Sequence, residues 1–239
     1  MIHTGLVVIG PDENEFVWVP ITETEFSRND FGSFGFYDET DSGEYQSMAE
    51  SVEKYGGFYM GRYEASYAGG SNVTDYIPAS RKADSTSIWV HVPPQDMIQI
   101  CKNLYADNES VTSFLPWGIN WDTTLQWLID SGDKPETEVV EDSTSWGNYS
   151  NNTFADVRGY GGTGQWEETK ANNIYDLAGN YWEWTQERSG GEGYAARAGG
   201  YSIMGGACPG YHYPVVFRSG LPGNDHHPNI TFRVALYLN

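Results

Sequence analysis

The chain has 239 residues and a formal net charge of −20, from 33 Asp and Glu against 13 Lys and Arg. A surface this acidic repels polyanions, which argues against nucleic acid and against an anionic membrane surface as partners. No run of about 18 apolar residues is present, so the sequence predicts no membrane insertion. Residues 1–10 also lack the basic region of a signal peptide.

The composition and the first part of the chain predict short strands separated by long loops. Nine Trp, 17 Tyr and ten Phe stand beside 28 Gly and 11 Pro, as in loop-rich β-structure with bulky aromatic residues. Residues 16–20 predict a strand closed by proline, and residues 28–53 predict a long surface loop because they show little periodicity. Residues 56–57 predict a turn that leads into another strand.

Two helices are predicted in the middle of the chain. The first begins at Pro94, a residue that suits a first helical position, and its apolar residues recur at helical spacing. These residues are Met97, Ile98, Cys101, Leu104 and Tyr105. The second helix begins near Asp122, a predicted N-cap, and ends at residues 131–132. A closing strand over residues 230–238 completes the prediction of one α+β domain over residues 1–239.

Residues 173–185 form the most specific motif, Asn-Ile-Tyr-Asp-Leu-Ala-Gly-Asn-Tyr-Trp-Glu-Trp-Thr. Gly179 and Asn180 predict a turn with positive φ, and the two tryptophans then alternate to one side of a strand. Asn180 and Glu183 supply oxygen atoms that a hard cation such as Ca²⁺ accepts. On spacing alone, a capped turn followed by two buried tryptophans explains the motif without a metal.

This motif resembles the GN-V-WEW signature of the formylglycine-generating-enzyme family, whose sulfatase-modifying domain is a variant of the C-type lectin fold. The resemblance extends to four further blocks in the same order, at residues 16–20, 57–64, 197–200 and 232–235. It implies an α+β C-type lectin fold with two helices, short strands and long loops. It implies less about activity, because one fold hosts many functions.

The catalytic residues of that family are incomplete in this chain. The family's enzymes hold copper with two cysteines after the Gly-Gly pair, whereas Met204 stands about where the first would be and Cys208 lies near the second. One thiolate cannot make the two-coordinate sulfur site that Cu(I) favours. The histidine motif of iron-binding relatives and the sugar-binding tripeptides of C-type lectins are also missing. We expect no catalytic residue and no catalytic cofactor.

The two cysteines, Cys101 and Cys208, do not form a disulfide framework. We expect two free thiols, and one bridge between them stays open as the alternative.

The resemblance also implies a structural Ca²⁺ ion. In the family, the counterparts of Gly179, Asn180, Tyr181 and Glu183 ligate calcium. Asn180 and Glu183 keep suitable side chains here, so we expect these two residues to help hold the ion and to tie the turn to the core.

The amino-acid composition changes at residue 197. The last 43 residues contain no Glu, Lys, Gln or Trp, whereas the first 196 contain 18, 5, 6 and 9 of them, and at that frequency the tail would contain about eight. Apart from Met204, the tail uses only residues encoded by codons that end in C or T. Such a set arises when adenines in the Asn codons of a template are mutated. A loop-rich tail that lacks four residue types by chance is the alternative.

Diversity-generating retroelements mutate adenines in this way, and the tail resembles the variable segment of their variable proteins. This resemblance is compatible with a phage or prophage origin and leaves a cellular origin open. These proteins commonly share the C-type lectin fold and vary at the C-terminus. Residues 199–230 are therefore predicted to bind a ligand, although Thr231 stands where a glycine is more usual. The predicted contacts are Tyr201, Ser202, Ile203, Met204, Tyr211, His212, Tyr213, Val215, Val216, Leu221, Asp225, His226 and His227.

The side chains of this tail suit a binding surface. Tyrosine and histidine offer a large contact area at low rotamer cost, as in antibody loops. Residues 225–227, Asp-His-His, also form a candidate metal cluster, although adjacent histidines in a turn seldom converge. Arg218 and Arg233 are predicted to be framework residues that pair with carboxylates.

Three functions are compatible with these features. The leading hypothesis is a receptor-type binding protein, not an enzyme, that displays a diversified surface to a protein or glycan ligand on another cell or particle. One alternative is a formylglycine-generating oxidoreductase that works with Cys208 alone. The other is a structural domain of a virion or cell surface, with a constant tail. An adenine-rich near-duplicate DNA segment beside a reverse transcriptase gene would separate the first from the other two.

Overall fold

A computed structural model describes residues 5–21, 26–32, 42–152, 159–189, 192–203 and 206–239. The α-helices in these ranges are α1 (Gly43–Tyr55), α2 (Pro94–Asn103), α3 (Gly118–Asp130) and α4 (Glu136–Val140). The strands are β1 (Val7–Ile9), β2 (Glu15–Pro20), β3 (Gly57–Gly61), β4 (Ser66–Gly69), β5 (Ile77–Ala79), β6 (Val111–Phe114), β7 (Lys170–Ala171), β8 (Ile174–Tyr175), β9 (Trp182–Arg188), β10 (Gly193–Arg197), β11 (Ser202–Ile203), β12 (Gly206–Ala207), β13 (Arg218–Pro222), β14 (Ile230–Thr231) and β15 (Ala235–Leu238).

The larger sheet joins the two ends of the chain. Its five strands follow the order β1-β2-β3-β15-β6, and all neighbours are antiparallel. Strand β15 lies between β3 and β6, with Ala235 opposite both Met60 and Phe114. The predicted strand at residues 16–20 is confirmed as β2, and the strand predicted after residues 56–57 is confirmed as β3.

The smaller sheet carries the tail. Its order is β13-β10-β9-β14, with β13 antiparallel to β10 and β14 parallel to β9. The closing strand predicted over residues 230–238 is therefore wrong as a single strand, because β14 and β15 belong to different sheets. Arg233 lies at the crossing between them, and its guanidinium donates to the carbonyl oxygen of Gly61 at 2.9 Å. The chain leaves the smaller sheet where this arginine turns inward.

Helix α2 confirms the helix predicted at Pro94, whereas the predicted start of the second helix is wrong. Helix α3 begins at Gly118, and Asn120 Oδ1 accepts a hydrogen bond from the backbone N–H of Trp117 at 3.1 Å. Asp122 is not the N-cap, because it lies one turn inside α3, where its fully buried carboxylate pairs with arginines. The predicted end is confirmed, since Ser131 is the C-cap.

Helix α1 occupies residues that were expected to form a loop. Ser42 caps its start by accepting from the backbone N–H of Tyr45 at 3.2 Å, and Gly56 ends it in a left-handed conformation. Only three of its residues are buried, so its apolar periodicity is weak and the sequence pattern does not reveal it. Helix α4 was also not predicted, so the described residues contain four α-helices, and a short 3-10 helix at Glu167–Thr169, instead of two helices.

The tryptophans of the 173–185 motif lie in the core, as predicted. Trp182 and Trp184 are 0% and 1% exposed and pack with Met97 of α2 and with Phe232. Cys101 and Cys208 are buried and are not joined in a disulfide bridge, as predicted. Among the described residues, no helix is long and apolar enough to cross a bilayer.

Candidate ligand-binding surface

The tail leaves β10 through a tight turn at residues 198–200. Ala198 and Gly199 both have positive φ, at 83° and 61°. A Cβ atom on Gly199 would lie 2.4 Å from the carbonyl oxygen of Tyr213, and one on Gly200 would lie 2.5 Å from Cδ1 of Trp182. The Gly-Gly pair is needed because two aromatic residues pack directly on its backbone.

A hairpin of β11 and β12 follows this turn and rests on residues from outside the tail. The backbone N–H of Tyr201 donates to the carbonyl oxygen of Asn180 at 2.9 Å. The hydroxyl of Tyr160 donates to the carbonyl oxygen of Ser202 at 3.0 Å. The Tyr160 ring stacks on Tyr181 with centroids 4.4 Å apart and meets Tyr201 edge-on at 5.8 Å. Two tyrosines of the scaffold therefore support the hairpin.

A second group of aromatic residues follows the hairpin at residues 211–213. The backbone N–H groups of His212 and Tyr213 both donate to the carbonyl oxygen of Pro209, which forms a tight turn. The ring of Tyr213 packs edge-on against Trp182, with centroids 5.9 Å apart. Tyr211, 55% exposed, and His212 face solvent. Tyr213 thus anchors the turn and leaves its two neighbours free for contacts.

A buried cluster of charges fixes the strands that carry these loops. Arg197 of β10 donates to Asp122 of α3 and to Glu187 of β9, both at 2.7 Å. Arg218 of β13 donates to the same two carboxylates at 2.6 and 3.1 Å, and Arg28 pairs with both as well. Burial and the charge of Arg197 lower the pKa of Arg218 to about 10. The predicted pairing of Arg218 with carboxylates is confirmed.

A second buried ion pair joins the motif at residues 173–185 to the end of the chain. Arg233 Nε donates to Glu183 Oε2 at 2.9 Å, and Arg233 Nη2 donates to Glu183 Oε1 at 2.5 Å. Burial raises the pKa of Glu183, and the guanidinium opposes that rise. Both carboxylate oxygens of Glu183 therefore accept from one cation, and the predicted pairing of Arg233 is confirmed.

Asn180 and Glu183 do not fit the calcium ion that the family resemblance implies. Asn180 Oδ1 accepts from Asn148 Nδ2 at 2.9 Å and from the backbone N–H of Gly161 at 2.8 Å. Its Nδ2 donates to Glu64 Oε2 at 2.6 Å. A Ca²⁺ ion on Glu183 would lie beside a guanidinium that already occupies both of its oxygens. Among the described residues, no three His, Cys, Asp or Glu side chains are grouped to hold a metal ion.

Glu64 lies at the centre of this network and is fully buried. Its Oε1 accepts from the backbone N–H of Tyr181 at 3.1 Å. Burial and the negative charges of Asp176 and Glu183 raise the pKa of Glu64 well above its ordinary value. Protonation of this carboxyl is therefore linked to the folded state.

The predicted ligand-binding residues fall into separate groups. Exposed or half-buried side chains belong to Tyr201, Ser202, Tyr211, His212, Tyr213, Leu221, Asp225 and His226. Val215 and Val216 are fully buried, so the prediction that they contact a ligand is wrong. The chain turns inward there, and the backbone N–H of Val215 donates to Ser143 Oγ at 3.0 Å. His227 is also buried, at 8% exposure. Met204 and the side chain of Ile203 lie outside the described residues.

The structure does not bring all the outward residues to one place. Leu221 lies opposite Tyr194, toward the far end of β13, and lines a groove of about 380 Å³ with Glu192 and Asn224. We use the name hairpin surface for the group beside the Gly-Gly turn. Its members are Tyr160, Tyr201, Ser202, Tyr211, His212 and Tyr213.

The sequence did not single out Tyr160, although it contacts the predicted residues directly. It lies in a loop without periodicity, where the glycines on both sides of it indicate no more than a turn. A side chain whose hydrogen bond goes to one backbone oxygen produces no pattern of residue spacing in the sequence. Asn229, which lies in the predicted segment, was also not named, and its Nδ2 lies 3.5 Å from the carbonyl oxygen of Ser202.

No protein-family model matches the chain, and no curated protein sequence matches it. Solved structures do match. Variable protein 1 of Treponema denticola is similar over 97% of this chain and 98% of its own, with a TM-score of 0.50 and 13% identity. PvdO from Pseudomonas aeruginosa is similar over 98% and 99%, with a TM-score of 0.56 and 14% identity. CarF is similar over 89% and 97%, with a TM-score of 0.49 and 13% identity.

The likeness to the first two proteins shows the fold of this chain. It is the α+β fold of the C-type lectin type that the sequence blocks predicted. At such identities the likeness carries no activity or ligand, because one fold hosts many functions.

Proposed function

We propose that the chain is a receptor-type binding protein that presents the hairpin surface, diversified at its tail residues, to a protein or glycan ligand. The observation that carries this proposal is the division of the tail into a buried framework and outward aromatic residues. Arg197, Arg218 and Arg233 are all buried in ion pairs. Tyr211 and His212 face solvent from a turn that Tyr213 anchors. The carboxylates of these ion pairs belong to Asp122, Glu187 and Glu183, so a change at an outward position of the tail removes none of them.

The chemistry of the hairpin surface supports binding. Its side chains are tyrosines, one serine and one histidine, which combine a large apolar area with hydrogen-bonding groups at low entropic cost. The group contains no carboxylate, although the chain carries 33 Asp and Glu. A ligand that contacts it therefore meets weaker repulsion than the rest of the acidic surface would impose.

We also propose that the chain is not a formylglycine-generating enzyme. The thiol of Cys208 is fully buried, whereas a reactive thiol needs an electropositive and partly exposed environment. Turnover of a cysteine-containing sulfatase peptide with added copper, lost in Cys208→Ser, would contradict this proposal.

Sequencing the DNA around the gene tests the proposed display function. An adenine-rich near-duplicate of the tail should lie beside a reverse transcriptase gene. At codons for outward residues such as Tyr211 and His212, the duplicate should carry adenines where the gene carries other bases. The codons for Arg218 and Phe232 should be identical in both copies. Absence of the duplicate, or differences spread equally over the framework codons, would contradict diversification.

A further inference from the structure

Presentation of the hairpin surface requires that the base of the hairpin be held in one position. The family resemblance implies a calcium ion at this place, near Asn180 and Glu183. Glu183 is unsuited to that task because Arg233 donates to both of its oxygens. Other groups must therefore hold the hairpin, and their role in presentation rests on the proposed display function.

Asn180 occupies the central position and adopts a left-handed conformation, with φ at 59°. Its side chain is fixed on both sides, because Oδ1 accepts from Gly161 N–H and Nδ2 donates to Glu64 at 2.6 Å. Its carbonyl oxygen then accepts from Tyr201 N–H at 2.9 Å. The buried Glu64 also accepts from Tyr181 N–H, so one carboxylate fixes both residues that precede β9.

Tyr160 holds the next residue of the hairpin. Its hydroxyl reaches Ser202 O at 3.0 Å, and its ring is fixed by stacking on Tyr181. Two consecutive residues of the tail, Tyr201 and Ser202, therefore each receive a contact from the scaffold. Both hydrogen bonds use only backbone atoms of the tail, so they survive when tail side chains change. The edge-on contact between the rings of Tyr160 and Tyr201 is the additional contact that depends on a tail side chain.

We infer that Glu64, Asn180 and Tyr160 form a hydrogen-bonded clamp that positions the hairpin and that this positioning does not depend on a metal ion. Glu64 and Asn180 set the backbone that receives Tyr201, and Tyr160 is a positioning residue for Ser202. Because the clamp forms hydrogen bonds to backbone atoms, it holds the hairpin whatever side chains the tail carries.

Amide hydrogen exchange of the full chain tests the role of Tyr160 without any ligand. Tyr160→Phe keeps the stacked ring and removes only the donor, so the amides of Tyr201 and Cys208, at the hairpin base, should exchange faster. The loss of one net hydrogen bond predicts about a tenfold increase. Tyr67→Phe is the matched control, because Tyr67 also donates to a carbonyl oxygen, that of Gly70, away from the hairpin. It should leave the hairpin amides unchanged. Equal exchange in wild type and Tyr160→Phe would overturn the inference.

A second variant separates the clamp from a metal site. Asn180→Asp supplies a better calcium ligand but replaces the donor to Glu64 by an acceptor. The clamp predicts faster hairpin exchange in this variant, both with CaCl₂ and with EDTA, and unchanged exchange in wild type when calcium is removed. Slower wild-type exchange on adding calcium, or full protection of Asn180→Asp by calcium, would overturn the inference. Failure of the DNA test above leaves these measurements unaffected, so the two proposals fail separately.

Discussion

The tail bends at a residue that has a side chain and nevertheless adopts a positive φ. Ala198 has φ at 83° and is fully buried between β10 and the Gly-Gly pair. The left-handed region costs an L-residue roughly 1–2 kcal/mol, and glycine avoids that cost. Glycine also gives the unfolded chain more conformational entropy, which lowers the stability of the folded state by about 0.4–1 kcal/mol. This loss offsets part of the energy gained from the relieved backbone.

We therefore predict that Ala198→Gly leaves the free energy of unfolding unchanged or raises it by up to about 1 kcal/mol. Ala196→Gly is the control, because Ala196 is equally buried but lies in strand β10, paired with Trp184 and Ser219, where glycine costs roughly 0.5–1 kcal/mol. Urea denaturation of both variants measures the difference. A loss in Ala198→Gly as large as in Ala196→Gly would contradict the strain at this position.

Glu64 gives a prediction for pH dependence. Its pKa is raised in the folded state by burial and by the charges of Asp176 and Glu183, from an ordinary value of 4.5. The folded state then binds more protons than the unfolded state above that pH, so the contribution of Glu64 to stability is present at low pH and is lost as the pH rises. The difference in unfolding free energy between wild type and Glu64→Gln should fall above pH 4.5. Its slope should approach about 1.4 kcal/mol per pH unit at most. A difference that rises with pH would show that the pKa is lowered instead.

At the scale of elements, the buried charges connect parts of the chain that are distant in sequence. Asp122 of α3 receives Arg197 of β10 and Arg218 of β13, and Asp122 is 0% exposed. Asp122→Asn keeps the shape and removes the charge, which should cost roughly 3–5 kcal/mol because buried guanidinium groups lose a partner. The control is Glu44→Gln, which breaks the exposed pair with Lys102 and should cost at most about 1 kcal/mol. Chemical denaturation gives both values, and equal losses would contradict the structural role of the cluster.

The elements that the sequence predicted are those with a local signal. Helix α2 has an apolar face and a proline at its start, and β2 and β3 have compact apolar runs. Helix α1 was missed because only Met48, Ser51 and Val52 are buried. The N-cap at Asp122 was wrong because a long-range ion pair, which leaves no local pattern, determines that residue's place.

The sequence identified only part of the candidate binding site, again because some of its residues have no local sequence signal. Composition identified the segment, and residue type identified Tyr211 and His212 as outward residues. Val215 and Val216 were misplaced because a β-branched residue in an irregular loop has no periodicity that separates core from surface. Tyr160 was missed because its contact is with the backbone of a residue 42 positions away.

At the scale of the whole molecule, charge and fold give different roles to the tail, from residue 197 onward, and to the scaffold that precedes it. The chain has a net charge of −20, whereas the three arginines of the tail point inward and stabilise the smaller sheet. The fold places the beginning of β9, the Gly-Gly turn and the hairpin together, since Trp182 contacts both Gly200 and Tyr213. The scaffold therefore has a rigid point of attachment for the loops of the tail.

A denaturation series over two sets of residues tests this division most directly. Combined substitution of Ser202, Tyr211 and His212 by alanine should change the free energy of unfolding by no more than about 0.5 kcal/mol for each residue. Trp182→Ala and Phe232→Ala should each cost roughly 3–5 kcal/mol, because both rings are fully buried. If the outward residues prove as costly as the two buried rings, residues 201–213 belong to the core and the tail is not a display surface.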